Sequence, residues 1–376
     1  MRSHGNSHRE DFADRHQRSG NPDHGPVAVA EPQLVPVRPS HQIDEMSLEA
    51  YLQDHLTGFR GPLSLRQFEG GQSNPTYLLE AASGRYVLRK QPPGELLPSA
   101  HQVDREYRVM RALAQTAVPV PTMHCLCQDH DVIGTDFYVM DFVDGRVFAD
   151  AKLPGLSRHE RSEVFRDLAR VLAALHRVDP AEVGLSDFGR PGNYFARQVN
   201  RWSRQYEASM TEYIEPMSRL MKWLPENIPH SEGCTIAHGD YRIGNCLIHP
   251  SEPRIIAVLD WELSTLGDPL ADLGYACLAY YTDAFNIGFG DADLAALGVP
   301  DQASFVADYC RHSGFQQIDD LPYSIIYNLF RLAAISQGVY KRGLEGNASS
   351  AVALQFKDVV RGYSETAWSL VSRLDT

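Results

Sequence analysis

The residues best suited to chemistry form two runs, His238-Gly239-Asp240-Tyr241-Arg242-Ile243-Gly244-Asn245 and Asp260-Trp261-Glu262. Between them, CLIH and RIIAVLD flank Pro-Ser-Glu-Pro and read as a short β-hairpin. An aspartate, an asparagine five positions on, and a second aspartate across a hairpin is the spacing of kinase-type phosphoryl transfer. The residue types suit that chemistry. A carboxylate at Asp240 can orient an attacking hydroxyl and take its proton. Magnesium prefers hard oxygen ligands, which Asn245 and Asp260 supply while phosphate oxygens complete the shell. Arg242, two residues past the base, can neutralise charge on the transferring group. His238 is expected to brace the loop rather than titrate.

Other elements must bring a nucleotide to these residues. Phe68-Glu69-Gly70-Gly71-Gln72-Ser73-Asn74 joins two strand-like runs. Gly70 and Gly71, with Ser73 and Asn74, would let backbone N–H groups approach phosphates. The strand RYVLRK carries Arg89 and Lys90, and the helix HQVDREYRVMRAL carries Glu106. A strand cation paired to a helix glutamate is the arrangement that holds α- and β-phosphates. Neighbouring strand residues face opposite ways, so only one of the two cations can serve; Arg89 is favoured over Lys90. FYVMDFV ends at Asp141 and Val143, where a hinge between lobes would offer backbone groups to adenine. Asp268 before Pro269 reads as a helix N-cap, and Asp272 as support for the catalytic loop.

The wider pattern divides the 376 residues into three parts. Residues 1–42 are polar and aperiodic and are expected to form a disordered tail. Residues 43–144 hold five strand-like runs and a helix near 99–115, an antiparallel nucleotide-binding lobe. Residues 145–376 are mainly helical, with helices expected near 193–222, 268–281, 302–312, 322–343 and 350–373. The fold class is therefore α+β, two-lobed, with the ligand cleft between the lobes. A formal net charge of −13 argues against nucleic-acid binding. No run is long and apolar enough to span a membrane, and the first residues lack the apolar core of a signal peptide. Six scattered cysteines show no disulfide framework, so a cytoplasmic setting is expected. His124, Cys125, Cys127 and His130 lack the paired spacing of a zinc site.

Over about residues 45–370 the chain resembles the aminoglycoside phosphotransferase and choline kinase-like superfamily. Within it, the kinase module found alone in bacteria or fused to certain acyl-CoA dehydrogenases matches best. FEGGQSNPTYLLE, YVLRKQPPG, REYRVMRAL, NYFARQVNRWSRQY, AHGDYRIGNCLIH and VLDWELSTLGDPLADLGY carry the resemblance. It implies a protein-kinase-like fold using ATP and Mg2+, with Asp240 as base, Asn245 and Asp260 as metal ligands, and Glu106 pairing the strand cation. Arg89 stands where many relatives have lysine, and Asp-Trp-Glu where protein kinases have Asp-Phe-Gly. No long activation segment follows Asp260, which disfavours a protein substrate. The resemblance implies a hydroxyacyl-CoA, phosphorylated on its acyl-chain hydroxyl. Arg197, Arg201 and Arg204 recur at helical spacing and would meet CoA phosphates, with Trp202 and Tyr206 lining a pocket. An aminoglycoside is the alternative acceptor, drawn by Glu207, Glu212 and Glu215; a catalytically silent nucleotide-binding regulator is a third reading. Oligomeric state has no sequence signature here.

Overall fold

A computed structural model describes residues 33–69, 74–92, 101–230, 233–284, 287–346 and 351–374. The N-terminal lobe is an antiparallel sheet of β1 (Leu34–Val35), β2 (Ser64–Phe68), β3 (Thr76–Ala81), β4 (Gly84–Lys90), β5 (Met123–Cys127) and β6 (Phe137–Asp141), in the order β1-β2-β3-β4-β6-β5. Helix α1 (Glu45–His55) covers one face through Leu48 and Leu52, which pack with Leu79, Leu88 and Val139. Helix α2 (Val103–Leu113) covers the other, where Tyr107 and Met110 meet Val87, Tyr138 and Met140. The two-residue alternation along β4 and β6 divides these cores. A single turn, α3 (His130–Ile133), joins β5 to β6.

Part of the segment expected to be a disordered tail is structured, and residues 1–32 lie outside the described residues. Leu34 and Val35 pair with Phe68 and Gln67, and a 3₁₀ turn follows at Pro39–His41. A two-residue apolar run gives too little periodicity to be read as a strand, and the exposed edge of β2 supplies its partner.

The C-terminal lobe is built from α4 (Arg158–His176), α5 (Tyr194–Ser209), α6 (Glu215–Glu226), α7 (Pro269–Ala276), α8 (Leu294–Leu297), α9 (Gln302–Ser313), α10 (Leu321–Leu344) and α11 (Phe356–Leu374). Helix α4 starts on a capping box, with Ser157 and Glu160 satisfying each other's backbone N–H groups. Helix α10 packs against α5, α7 and α11. The expected hairpin is present as β8 (Cys246–Ile248) and β9 (Ile255–Val258). A second pair, β7 (Thr235–Ala237) with β10 (Thr265–Gly267), was not legible, because three-residue strands carry no usable alternation. No helix of the described residues is long and apolar enough to cross a membrane.

Contacts from α2 and its flanks tie the lobes together. Arg105 donates to the carbonyls of Phe188 at 2.6 Å and Ser264 at 3.3 Å, and stacks on the Phe188 ring. Arg108 pairs with Asp187, and the Val258 N–H donates to Pro119 at 2.9 Å. Helix α2 is thereby held against the C-terminal lobe.

Candidate active site

Strand β7 delivers the chain into a tight loop whose backbone is held from below. Asp272, in the first turn of α7, accepts hydrogen bonds from the N–H groups of His238 at 2.5 Å and Gly239 at 2.8 Å. Burial would push this carboxyl up, but His176, His238 and the Gly239 N–H outweigh burial and hold it below the usual carboxylate range. Gly239 has φ of +84°, and a Cβ there would lie 2.8 Å from the Leu263 carbonyl oxygen, so only glycine fits the turn. His238 Nε2 donates to the Leu259 carbonyl at 2.9 Å, and its Nδ1 accepts from the Asp240 N–H at 3.2 Å. Those partners fix the orientation of the ring, which makes His238 a brace.

The Asn245 Nδ2 group donates to both the Asp240 carbonyl and Asp240 Oδ2, each at 2.8 Å. This orients the Asp240 carboxylate and turns the asparagine's amide oxygen away from it. Arg242 Nε lies 3.6 Å from Asp240 Oδ1. The Tyr275 hydroxyl, at the end of α7, also reaches Asp240.

Asp260 sits two residues beyond the hairpin, with a left-handed backbone at φ 66° and ψ 58°. A non-glycine residue held there is strained, and such strain clusters at functional sites. Arg89 draws three acids together. Its Nη2 donates to Asp260 at 3.1 Å and Glu262 at 3.3 Å, while Nε lies 3.2 Å from Glu106. Glu106 also accepts from Asn74 at 2.9 Å and from the Tyr138 hydroxyl at 3.0 Å. Burial pushes its carboxyl up to about 7, against the opposing pull of Arg89 and Tyr138.

The donor set fits magnesium. Asp260 offers a partly exposed carboxylate and Asn245 an amide oxygen left free by its own donor bonds. Both are hard oxygens, and two protein ligands leave room for phosphates and water. Among the described residues no group of three His, Cys, Asp or Glu side chains could hold a metal. His124 and His130 instead pair with Asp141 and Asp136.

Gly70, Gly71 and Ser73 lie outside the described residues. Asn74 is described, and its side chain is spent on Glu106 and His101. Lys90 is corrected as a phosphate ligand. It follows Leu88 on the α1 face of β4, where it is buried, while Arg89 follows Val87 on the α2 face toward the catalytic lobe. Asp141 donates its N–H to the Thr122 carbonyl, and its carboxylate meets His124 Nε2 at 2.6 Å. Val143 lies just past β6, in the crossing between lobes.

The arginine stripe of α5 divides. Arg197 turns back onto the carbonyls of Gly192 and Arg190, so it braces its own helix start. Arg201 stacks beside Trp202 and, like Arg204, is exposed. Trp202 lies beneath Arg331, and both Trp202 and Tyr206 are buried. Two of the three acids expected to attract a polycation are engaged, Glu212 with Lys357 and Arg361 and Glu215 with Arg219, whereas Glu207 is exposed. Beside Arg242 lies a cavity lined by Ala149, Phe165, Leu168, Ala276 and Ala279, an apolar wall. Tyr275, His176 and Arg331 were missed in the sequence. Only Arg331 carried a signal there, as a lone charge within the apolar run NLFRLAA.

Known proteins match this arrangement. The family model described as "Phosphotransferase enzyme family" matches residues 64–309. Mouse acyl-CoA dehydrogenase family member 10 is 44% identical over 352 residues, covering 93% of this chain and 33% of that protein. Human acyl-CoA dehydrogenase family member 11 is 41% identical over 360 residues, covering 93% of this chain and 46% of that protein. The chain thus spans less than half the length of these curated relatives. A crystal structure of an aminoglycoside phosphotransferase-like protein from Ralstonia eutropha superposes with a TM-score of 0.81 at 46% identity, covering 88% of this chain and 99% of that one. Spectinomycin phosphotransferase, solved with ADP and spectinomycin, shares the fold alone, with a TM-score of 0.58 at 12% identity over 89% of this chain and 99% of that one. With a matching family model over most of its length and its acids gathered around Asp240 and Asp260, the chain belongs to the phosphotransferase enzyme family.

Proposed function

We propose that this chain is an ATP- and Mg2+-dependent small-molecule kinase whose acceptor is the acyl-chain hydroxyl of a hydroxyacyl-CoA. The observation that carries the reading is the Asp240 carboxylate aligned by Asn245, together with an Arg89 that joins Glu106 to Asp260. Asp240 accepts the hydroxyl proton as the oxygen attacks the γ-phosphorus, and the Asn245 amide keeps the carboxylate aimed. Arg242 steadies the charge that develops on the transferring group. Arg89, fixed by Glu106, contacts the nucleotide phosphates as a planar fork. Asn245 and Asp260 hold the metal, which when bound neutralises phosphate oxygens. Backbone groups at Asp141 and Val143 serve the adenine, and backbone N–H groups of the run Gly70, Gly71, Ser73 and Asn74 serve the phosphates.

Two observations support an acyl thioester over an aminoglycoside. Part of the wall beside Arg242 is apolar, and Glu212 and Glu215, two of the three acids that would draw a polycation, are paired with local cations. The names of the curated relatives point the same way. Arg201 and Arg204 remain exposed for CoA phosphates, Trp202 lies beside them, and Arg197 and Tyr206 drop out of that role. Six free cysteines suit a cytoplasmic setting.

The test is product analysis by mass spectrometry after incubation with Mg-ATP and hydroxyacyl-CoAs, aminoglycosides, choline or homoserine, with Asp240→Asn beside the wild type. A phosphorylated hydroxyacyl-CoA, absent with the variant, is expected. A phosphorylated aminoglycoside would instead establish the alternative acceptor. ATP binding with no product from any acceptor would favour the silent regulator.

A further inference from the structure

Helix α10 runs across α7 with an unusual series of residues on its inner face. Ser324 donates to the Leu270 carbonyl, and Asn328 Nδ2 donates to the Ala271 carbonyl at 2.8 Å. The helices approach closely because Gly274 has no side chain; a Cβ there would lie 2.7 Å from Ser324 Oγ. One turn further along α10, Arg331 faces Tyr275 in the same interface. Its guanidinium carbon lies 5.3 Å from the Tyr275 ring centre and 5.7 Å from that of Trp202, within cation–π range of both.

Arg331 is only 6% exposed, and among the described residues its guanidinium has no ion pair and no hydrogen bond, while the Tyr327 and Tyr194 hydroxyls and the Asp240 carboxylate act on its charge from further off. A guanidinium carries five N–H donors, and those without a protein partner are open to a ligand oxygen. Aromatic faces attract its charge but accept none of those hydrogen bonds in its plane. Close by, the buried Tyr327 hydroxyl is in reach of Trp202 and Tyr194, so these groups are turned toward one another rather than toward Arg331. The site is one ring away from the chemistry, since the Tyr275 hydroxyl reaches Asp240 while its ring carries Arg331.

We propose that Arg331 is a specificity-determining residue that binds a carbonyl or carboxylate oxygen of the acceptor, a few methylenes from the hydroxyl presented to Asp240. This deepens the kinase reading and rests on it for the identity of Asp240 as base. The acceptor class is then a hydroxylated acyl compound, free acid or thioester, because both present an sp² oxygen to the guanidinium fork. A polycationic acceptor is disfavoured, since its ammonium groups would meet a buried positive charge.

Binding to the MgADP-loaded full chain, measured by titration calorimetry, separates these possibilities without turnover. The ligands are a hydroxyacyl-CoA, its free hydroxy acid, the corresponding diol without a carbonyl, and kanamycin. The proteins are wild type, Arg331→Met and Arg331→Lys. The wild type should bind one or both carbonyl ligands at least 10-fold more tightly than the diol or kanamycin, and comparing acid with thioester identifies the source of the oxygen. Arg331→Met should weaken carbonyl binding by about 10- to 100-fold, with Arg331→Lys intermediate. Because methionine fills the slot between the rings without a buried charge, its melting temperature should hold or rise. Equal carbonyl binding by wild type and Arg331→Met, or wild-type preference for the diol or kanamycin, overturns the proposal. So does joint loss of ADP binding and thermal stability in Arg331→Met, which would make the arginine structural. A wild type that binds the carbonyl ligand through Arg331 but transfers no phosphate removes the kinase reading and leaves this one standing.

Discussion

At the scale of single residues, the site works by aiming carboxylates rather than by accumulating them. Asp240 is useful because Asn245 fixes one of its oxygens, leaving the other toward Arg242. Asp240→Asn should therefore lower kcat about 10²- to 10⁴-fold while leaving the KM for ATP within a few-fold, read by steady-state phosphate transfer. Glu106 offers a different test. Its folded pKa is raised from 4.5 to about 7, so the folded state binds its proton more tightly than the unfolded chain does. The stability it contributes is fully present below about pH 4.5 and is lost as pH rises through about 7. Melting curves across that window should show the wild type losing stability relative to Glu106→Gln, whose amide cannot ionise. A constant difference between the two across the same range would reject the assignment.

At the scale of elements, two aspartates near the start of α7 have separate duties. Asp268 caps the helix through the Leu270 N–H at 2.9 Å, with Pro269 in the first turn. Asp268→Ala should cost about 1 kcal/mol in denaturant titration, a capping loss. Asp272 instead serves the catalytic loop, and Asp272→Ala would leave the His238 and Gly239 N–H groups buried and unmet. Each orphaned donor costs about 1–3 kcal/mol, so this variant should lose more stability than Asp268→Ala. Its kcat should also fall, because the loop that carries Asp240 is no longer held. If the two variants lose similar stability and Asp272→Ala keeps full kcat, the division of labour is wrong.

At the scale of the whole molecule, the lobes act through helix α2, which holds Glu106 and is anchored to the other lobe by Arg105 and Arg108. The position of Arg89 thus depends on contacts made some distance from any phosphate. Arg105→Gln removes a guanidinium that bridges the Phe188 and Ser264 carbonyls. It is expected to raise the KM for ATP several-fold and to speed amide hydrogen exchange in α2, with acceptor KM little changed. An unchanged exchange rate together with an unchanged KM would show that α2 is held without Arg105.

Much of the proposed site is legible in the sequence. Asp240, Asn245 and Asp260 lie within one stretch of chain, and the hairpin expected between them is present, so local spacing alone suggests the chemistry. Asp268 before Pro269 announced a helix start for the same local reason. Other facts are set by contacts between distant segments. Arg89 and Lys90 are neighbours in sequence, and only the packing of α1 and α2 on opposite sheet faces decides which cation meets Glu106. Arg197, Arg201 and Arg204 share a helical spacing, but a loop carbonyl reaches the first and the solvent receives the others. Arg331 enters the story only because α10 crosses α7, bringing a residue 91 positions beyond Asp240 to the ring that touches it. Local spacing specifies which groups can react; the burial and pairing of each charge depend on chain crossings that spacing does not encode.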